Sequence, residues 1–211
     1  MNILIKKMVC GPLQNNLYIV RREDRKEAVV IDPADAEAAM EALKREGIQS
    51  IDIFLTHGHF DHMMGVDRLR KEFDASVWIM RLDAPMLTDE DQNLCKDVLR
   101  FPLRTNAAEH EVEDGERIAC AGMNFDVIHT PGHTPGGVCF RCGDNLFSGD
   151  TLFYRSAGRF DFPGGSLEEM LHSLHKLFAL PGDYTVYPGH GAETTLAFER
   201  EHNDFIQRYE R

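Results

Sequence analysis

The chain has 211 residues, 43% of them hydrophobic and 27% charged, with a formal net charge of -12. That length can bury a substantial core without disulfides, and the mixture is that of a globular protein. The acidity disfavours nucleic acid as a partner, and no segment approaches the ~18 apolar residues of a membrane span.

The N-terminal MNILIKKMVC does not read as a signal peptide, because its apolar run is very short and no small-residue cleavage site follows. LYIV (17–20) and AVVID (28–32), joined by a polar tip, predict a hairpin. After Pro33, the segment 34–47 is rich in helix formers. Ala36, Ala39, Met40 and Leu43 recur at helical spacing, and Gly47 is a stop. IDIFLT (51–56) reads as a strand covered on both faces. A helix over 65–72 and a strand over 76–80 complete a β-β-α-β-α-β first third. From 83 to 108 the pattern weakens to loops and one short helix. Strands return at 116–120, at 124–130, in GGVCFRC ending at Cys142, and at 145–150, with Asp114-Gly115 and Gly143-Asp144 as turns. The segment 166–180 predicts an amphipathic helix with Ser166 as N-cap and Glu169 completing a capping box. A strand over 184–190 and one helix over 193–210 end the chain. No linker divides it, so residues 1–211 read as one domain, with sheets packed together and helices outside.

The chemistry concentrates in LTHGHFDHMMG (55–65), which places His57, His59, Asp61 and His62 within six positions. Burying such groups together is costly without a cation. In extended backbone, positions i and i+2 share a direction, so His57 and His59 reach one point and Asp61 continues the alternation. His62 leaves it and serves a neighbouring point, so the loop offers ligands to two metal ions. Three further segments repeat one grammar of apolar strand, glycine and ligand-type side chain. They are His133 in HTPGHTPGG, Asp150 in LFSGDTLF and His190 in VYPGHGAETT. Glycine permits the backbone angles that aim such side chains inward.

These motifs, THGHFDH followed by GHTPGG, SGDTLF and YPGHG, resemble the metallo-β-lactamase fold superfamily over nearly the whole chain. GDTLFYRSAGRFDFPGGS and YPGHGAETT are most similar to short, single-domain glyoxalase II-like hydrolases. The resemblance implies a four-layer αββα sandwich, an α/β arrangement with the metals at one edge of the two sheets. It implies that His57, His59 and His133 hold one metal, that Asp61, His62 and His190 hold the second, and that Asp150 bridges them. Asp61 and Asp150 then serve catalysis directly. Such donors suit zinc, and iron and manganese accept them too. Two such ions ~3.5–4 Å apart can share a hydroxide acidified toward neutrality. In the resembling enzymes the loop carrying Tyr154 and Arg159 borders the site, which makes both candidates for substrate contact.

The expected activity is hydrolysis of S-lactoylglutathione or a related small acyl-thiol. One departure bears on the thiol. Larger glyoxalase II enzymes add a C-terminal helical region that binds glutathione, and this chain has room for one helix after His190. Alternatives are a mononuclear iron persulfide dioxygenase using His57, His59 and His133, or a lactonase. β-Lactamase function is disfavoured by the missing secretion signal, and the acidity disfavours a nuclease. Five scattered cysteines, Cys10, Cys95, Cys120, Cys139 and Cys142, suit a reducing, cytoplasmic setting. Cys139-x-x-Cys142 lacks the second pair that a zinc site would need. His110, His129, His172, His175 and His202 are expected to stand outside the metal set, with His129 the nearest to it.

Overall fold

The computed structural model describes residues 2–99 and 102–209, leaving Met1, Arg100, Phe101, Glu210 and Arg211 outside. The first of two six-stranded sheets contains β1 (Ile3–Cys10), β2 (Asn15–Arg22), β3 (Glu27–Ile31), β4 (Ser50–Phe54), β5 (Val77–Met80) and β6 (His110–Val112), in that spatial order. β1, β2 and β3 pair antiparallel, and β3 through β6 pair parallel. Parallel neighbours need crossovers. Helix α1 (Ala36–Arg45) links β3 to β4. The single turn α2 (Phe60–Met63) and then α3 (Val66–Phe73) link β4 to β5, and α4 (Ala84–Thr88) and α5 (Cys95–Val98) precede β6.

The second sheet begins with β7 (Arg117–Cys120), β8 (Met123–His129), β9 (Val138–Cys142) and β10 (Asn145–Gly149), all antiparallel. A two-residue hairpin, β11 (Leu152–Phe153) with β12 (Ser156–Ala157), and helix α6 (Leu167–Phe178) follow. β13 (Thr185–Pro188) then pairs parallel with β10, and β14 (Thr194–Thr195) lies beyond it at the edge. Two short helices, α7 (Leu196–His202) and α8 (Asp204–Tyr209), close the described chain.

Three apolar clusters make the layers. Ile53, Leu55, Val77 and Ile79 pack with Leu43 of α1 and Leu69 of α3. Tyr18, Phe54, Phe125, Phe140 and Phe147 fill the space between the sheets. Leu146 and Val186 pack with Leu174 and Leu177 of α6. The result is helix, sheet, sheet, helix, the expected αββα sandwich. Phe54 anchors the central layer, its ring centroid 5.0 Å from both Phe125 and Phe140 of the opposite sheet.

The 17–20/28–32 hairpin forms, as do the helices after Pro33 and Gly65. The Asp35 carboxylate accepts from Ala38 N at 3.1 Å to cap α1, and the Ser166 hydroxyl accepts from Glu169 N at 3.3 Å to cap α6. Two expectations change, and the N-terminus, for which no element was expected, gains one. The N-terminus is an eight-residue edge strand, β1, whose Lys6 and Lys7 interrupt the apolar run. Among the described residues, the 83–108 segment holds two short helices. The expected C-terminal helix is two, broken at Asn203, and its expected end at Glu210 lies outside the described residues.

The sheets are also joined by hydrogen bonds at one edge. Val138 N donates to Thr56 O at 2.9 Å and Asn16 N to Gly189 O at 2.7 Å. The Tyr18 hydroxyl donates to Pro188 O at 2.7 Å, and Asn15 bridges to His190. The ends of β2, β4, β9 and β13 therefore meet at a fixed seam, where the polar residues of the four motifs lie.

Candidate metal centre

Each motif leaves a strand end and enters the seam. His57 and His59 follow β4 in non-helical backbone, with His59 extended at φ -73 and ψ 146. The alternation stops there. Asp61 and His62 belong to the helical turn α2, so they reach the second point because a helix turns them about 100° apart, not because the strand continues. Asp150 follows Gly149, whose φ of +48 favours glycine and whose added Cβ would collide with Thr56. Gly189 lets the chain pass against Asp150 and His62, where a Cβ would strike the carboxylate.

Three overlapping groups of donors result. His57, His59 and His133 form one, and Asp61, His62 and His190 another. Asp150 joins His57 of the first to His62 of the second. In each group the donor atoms lie within 4.8 Å of one another. His59 Nδ1 is 2.9 Å from His133 Nε2. Asp150 Oδ2 lies 3.5 Å from both His133 Nε2 and His190 Nε2, and its Oδ1 lies 3.5 Å from His62 Nε2. Asp61 Oδ2 is 3.4 Å from His190 Nε2 and 3.6 Å from His62 Nε2. The seven predicted ligand positions thus converge.

The donor set fits divalent cations. His57 Nε2, His62 Nε2 and Asp150 Oδ1 are buried without a hydrogen-bond partner, an arrangement that is costly unless another group satisfies them. Burial, then the neighbouring imidazoles His62 and His59, hold His57 well below the usual histidine range. Burial and His133 do the same to His59. Burial pulls His62 down, but Asp61, Asp32 and Asp150 outweigh it and raise it to about 10. Burial raises Asp61, and His62, His190 and Asn15 overcome it, leaving the carboxyl well below its usual range. One side of the cluster therefore offers neutral imidazoles, and the other a negative field that attracts positive charge.

The other ring nitrogens are held from behind. His62 Nδ1 is 2.9 Å from Asp32 Oδ2, His57 Nδ1 is 3.1 Å from the Thr56 hydroxyl, and His133 Nδ1 is 2.7 Å from the Arg159 carbonyl. Such contacts fix ring orientation and tautomer. The Thr134 hydroxyl donates to Asp83 at 2.6 Å. Asp32 also accepts from Thr56 N at 2.8 Å and from its hydroxyl at 2.7 Å. Asp83, fully buried, accepts from Gly58 N at 3.1 Å and Gly136 N at 2.6 Å. Asn15 donates to Asp61 Oδ2 at 2.7 Å. Sequence reasoning missed all three. Asp32 follows an apolar strand and precedes Pro33, a strand-end position like those of the ligands but without their glycine, and could have been found. Asp83 and Asn15 carry no local signal.

The cluster opens into a cleft of about 280 Å³. Arg159 lines it, its guanidinium 4.2 Å from the Phe162 ring centre and paired with Asp161 at 2.8 Å. Tyr154 does not line this cleft. It stacks on Phe198 at 5.4 Å, and Phe153 occupies the lining position instead. His129 Nε2 contacts Pro135 O at 2.8 Å, and His110 stacks on Trp78 at 3.8 Å. Neither these nor His172, His175 or His202 joins a metal-capable group among the described residues. All five cysteines are free thiols. Burial pushes Cys139 up to about 12 and Cys142 to about 11, so neither offers a thiolate. No helix among the described residues is long and apolar enough to cross a membrane.

Known proteins share this sequence pattern and fold. A sequence model described as the Metallo-beta-lactamase superfamily matches residues 10–190. The chain is 32% identical to the hydroxyacylglutathione hydrolase GloC of Haemophilus influenzae over 87% of this chain and 89% of that protein. Its structure superposes on the crystal structure of the BLEG-1 B3 metallo-beta-lactamase with a TM-score of 0.91, at 38% identity, covering 95% and 98% of the two chains. It also superposes on TTHA1623 in a di-iron-bound form with a TM-score of 0.81, at 36% identity, covering 94% and 98%.

Proposed function

The chain belongs to the metallo-beta-lactamase superfamily, and from that premise we propose that it is a metal-dependent thioester hydrolase of the glyoxalase II type, acting on S-lactoylglutathione or a related acyl-thiol. The superfamily match and the hydroxyacylglutathione hydrolase relative support hydrolytic chemistry. The observation that carries the reading is the convergence of two sets of donors, in which His57 Nε2, His62 Nε2 and Asp150 Oδ1 are buried without a hydrogen-bond partner.

In this reading His57, His59 and His133 hold one ion, Asp61, His62 and His190 hold the second, and Asp150 belongs to both. Nitrogen and oxygen donors suit zinc, with iron and manganese compatible. When bound, such ions supply Lewis acidity toward a substrate carbonyl and acidify water. The protein's own part is to fix the donors. Asp150, with an oxygen toward each set, sets their separation. Asp61 is an anion at neutral pH and is held in place by the Asn15 amide. Asp32, Thr56 and the Arg159 carbonyl aim three imidazoles inward, so the ligands need not reorganise during turnover. A thiolate leaves readily, so the demands on the site are positioning and charge stabilisation.

The test loads the purified protein with zinc and measures thiol release from S-lactoylglutathione, alongside β-lactam hydrolysis and persulfide-dependent oxygen uptake with an iron-loaded sample. Thiol release as the fastest of the three supports the proposal. β-Lactam turnover or oxygen uptake without thiol release overturns it, the latter in favour of an iron dioxygenase.

A further inference from the structure

The cleft over the donor cluster has a composition that the ligand motifs do not explain. Apart from members of the cluster and Arg159, its lining is carbon: Leu13, Phe60, Leu94, Val98, Phe153 and Phe162. These six side chains come from five separate segments: the β1–β2 turn, α2, α5 with its N-cap, β11, and the loop after β12. Phe60 and Leu94 are buried, whereas Leu13 and Val98 remain 44% and 48% exposed at the rim. The cation that lines the cleft is already engaged. Arg159 Nε and Nη2 both donate to Asp161, at 2.9 and 2.8 Å, and the guanidinium lies over the Phe162 ring. At about 280 Å³ the space is at the small end of ligand pockets, which run from ~300 to 1,000 Å³. It suits a short carbon chain or a single ring.

We infer that this site selects its substrate by an apolar acyl group, an aliphatic chain of about four to eight carbons or an aromatic acid, packed among Leu13, Leu94, Val98, Phe153 and Phe162 beside the scissile carbonyl. The inference rests on the thioester reading above and adds to it the chemical class of the acyl group. Burial of each additional methylene strengthens binding by about fourfold, so a pocket of this kind separates substrates by chain length.

The experiment measures kcat/KM for acetyl, butanoyl, hexanoyl and octanoyl thioesters of a single thiol, with S-lactoylglutathione as reference, using the zinc-loaded full chain. The expected result is a rise of at least about tenfold from the two-carbon to the six-carbon acyl group. Leu13→Asp and Val98→Asp, at positions exposed enough to accept a charge without unfolding the chain, are expected to reduce that six-to-two-carbon ratio below about threefold. A flat or falling series with S-lactoylglutathione still cleaved overturns the apolar preference and leaves the thioester reading standing. A rising series unchanged in both variants overturns the assignment of the acyl group to this cleft. Failure to cleave any of the five thioesters overturns both readings together.

Discussion

Asp32 and Asp83 stand outside the donor groups and outside the cleft lining, yet both organise the centre. Asp32 receives three donors, two from Thr56 and one from His62, and so couples the end of β4 to the helical turn α2. Asp32→Ala leaves His62 free to rotate and is expected to weaken metal affinity by about 10- to 100-fold, measured by competition with a chromogenic chelator. Unchanged affinity would remove Asp32 from the support of the centre. Asp83 ties Gly58 on one ligand loop to Thr134 and Gly136 on another. Asp83→Ala strands three buried donors, each costing about 1–3 kcal/mol. A fall of about 3–9 kcal/mol in unfolding free energy is expected in urea, also in metal-free protein. The contrast with the ligands explains what was legible. His57 to His62 crowd into six positions, and His133, Asp150 and His190 each follow a strand and a glycine, so local sequence exposes them. Asp83 finds its partners 25, 51 and 53 residues away, a relationship that only the folded chain creates.

Among the elements, those with strong periodicity matched expectation because packing rewards the pattern itself. Of the α1 face predicted from Ala36, Ala39, Met40 and Leu43, the last three are buried and Ala36 is half-buried. β1, β6 and β14 were not legible: all three are edge strands that pair on one side, and unlike β7 at the remaining edge none follows a turn dipeptide. β1 carries lysines, as an edge that must resist further pairing does. The C-terminal break is equally a tertiary matter. Buried Asn203 donates to Glu199 Oε2 at 2.7 Å and to Ser156 O at 3.1 Å, while its Oδ1 accepts from Phe205 N and Ile206 N at the start of α8. Glu199 in turn accepts from Arg155 N. α7 and α8 therefore brace the loop whose Arg159 carbonyl orients His133. Asn203→Ala is expected to cost about 1–2 kcal/mol and to speed proteolytic cleavage within residues 153–165. Intact resistance to protease would show that the loop is held by other contacts. In the central layer, Phe54→Ala is expected to cost about 3–5 kcal/mol, read from the same urea transition, because both sheets lose a shared aromatic contact.

At the scale of the molecule, two sheets from the two halves of the chain meet along a seam, and the donors divide between them. His57, His59, Asp61 and His62 come from the first half; His133, Asp150 and His190 come from the second. Layer order was legible from strand and helix patterning together with the family resemblance, whereas the seam was not, since it depends on hydrogen bonds such as Val138 N to Thr56 O. Ions bound across this seam would stabilise the folded state by mass action. Zinc at about a thousandfold above its Kd is expected to add about 4 kcal/mol, which for a chain of this size raises Tm by about 8–16 °C. Equal melting with and without chelator would contradict that coupling. The most direct test is elemental analysis of zinc-loaded wild-type protein and of Asp150→Ala, purified in parallel and assayed for thioester hydrolysis on the same samples. The account predicts two ions per wild-type chain, fewer in the variant, and turnover lost with them. A wild-type chain that binds no metal, or a variant with full occupancy and full activity, would contradict it.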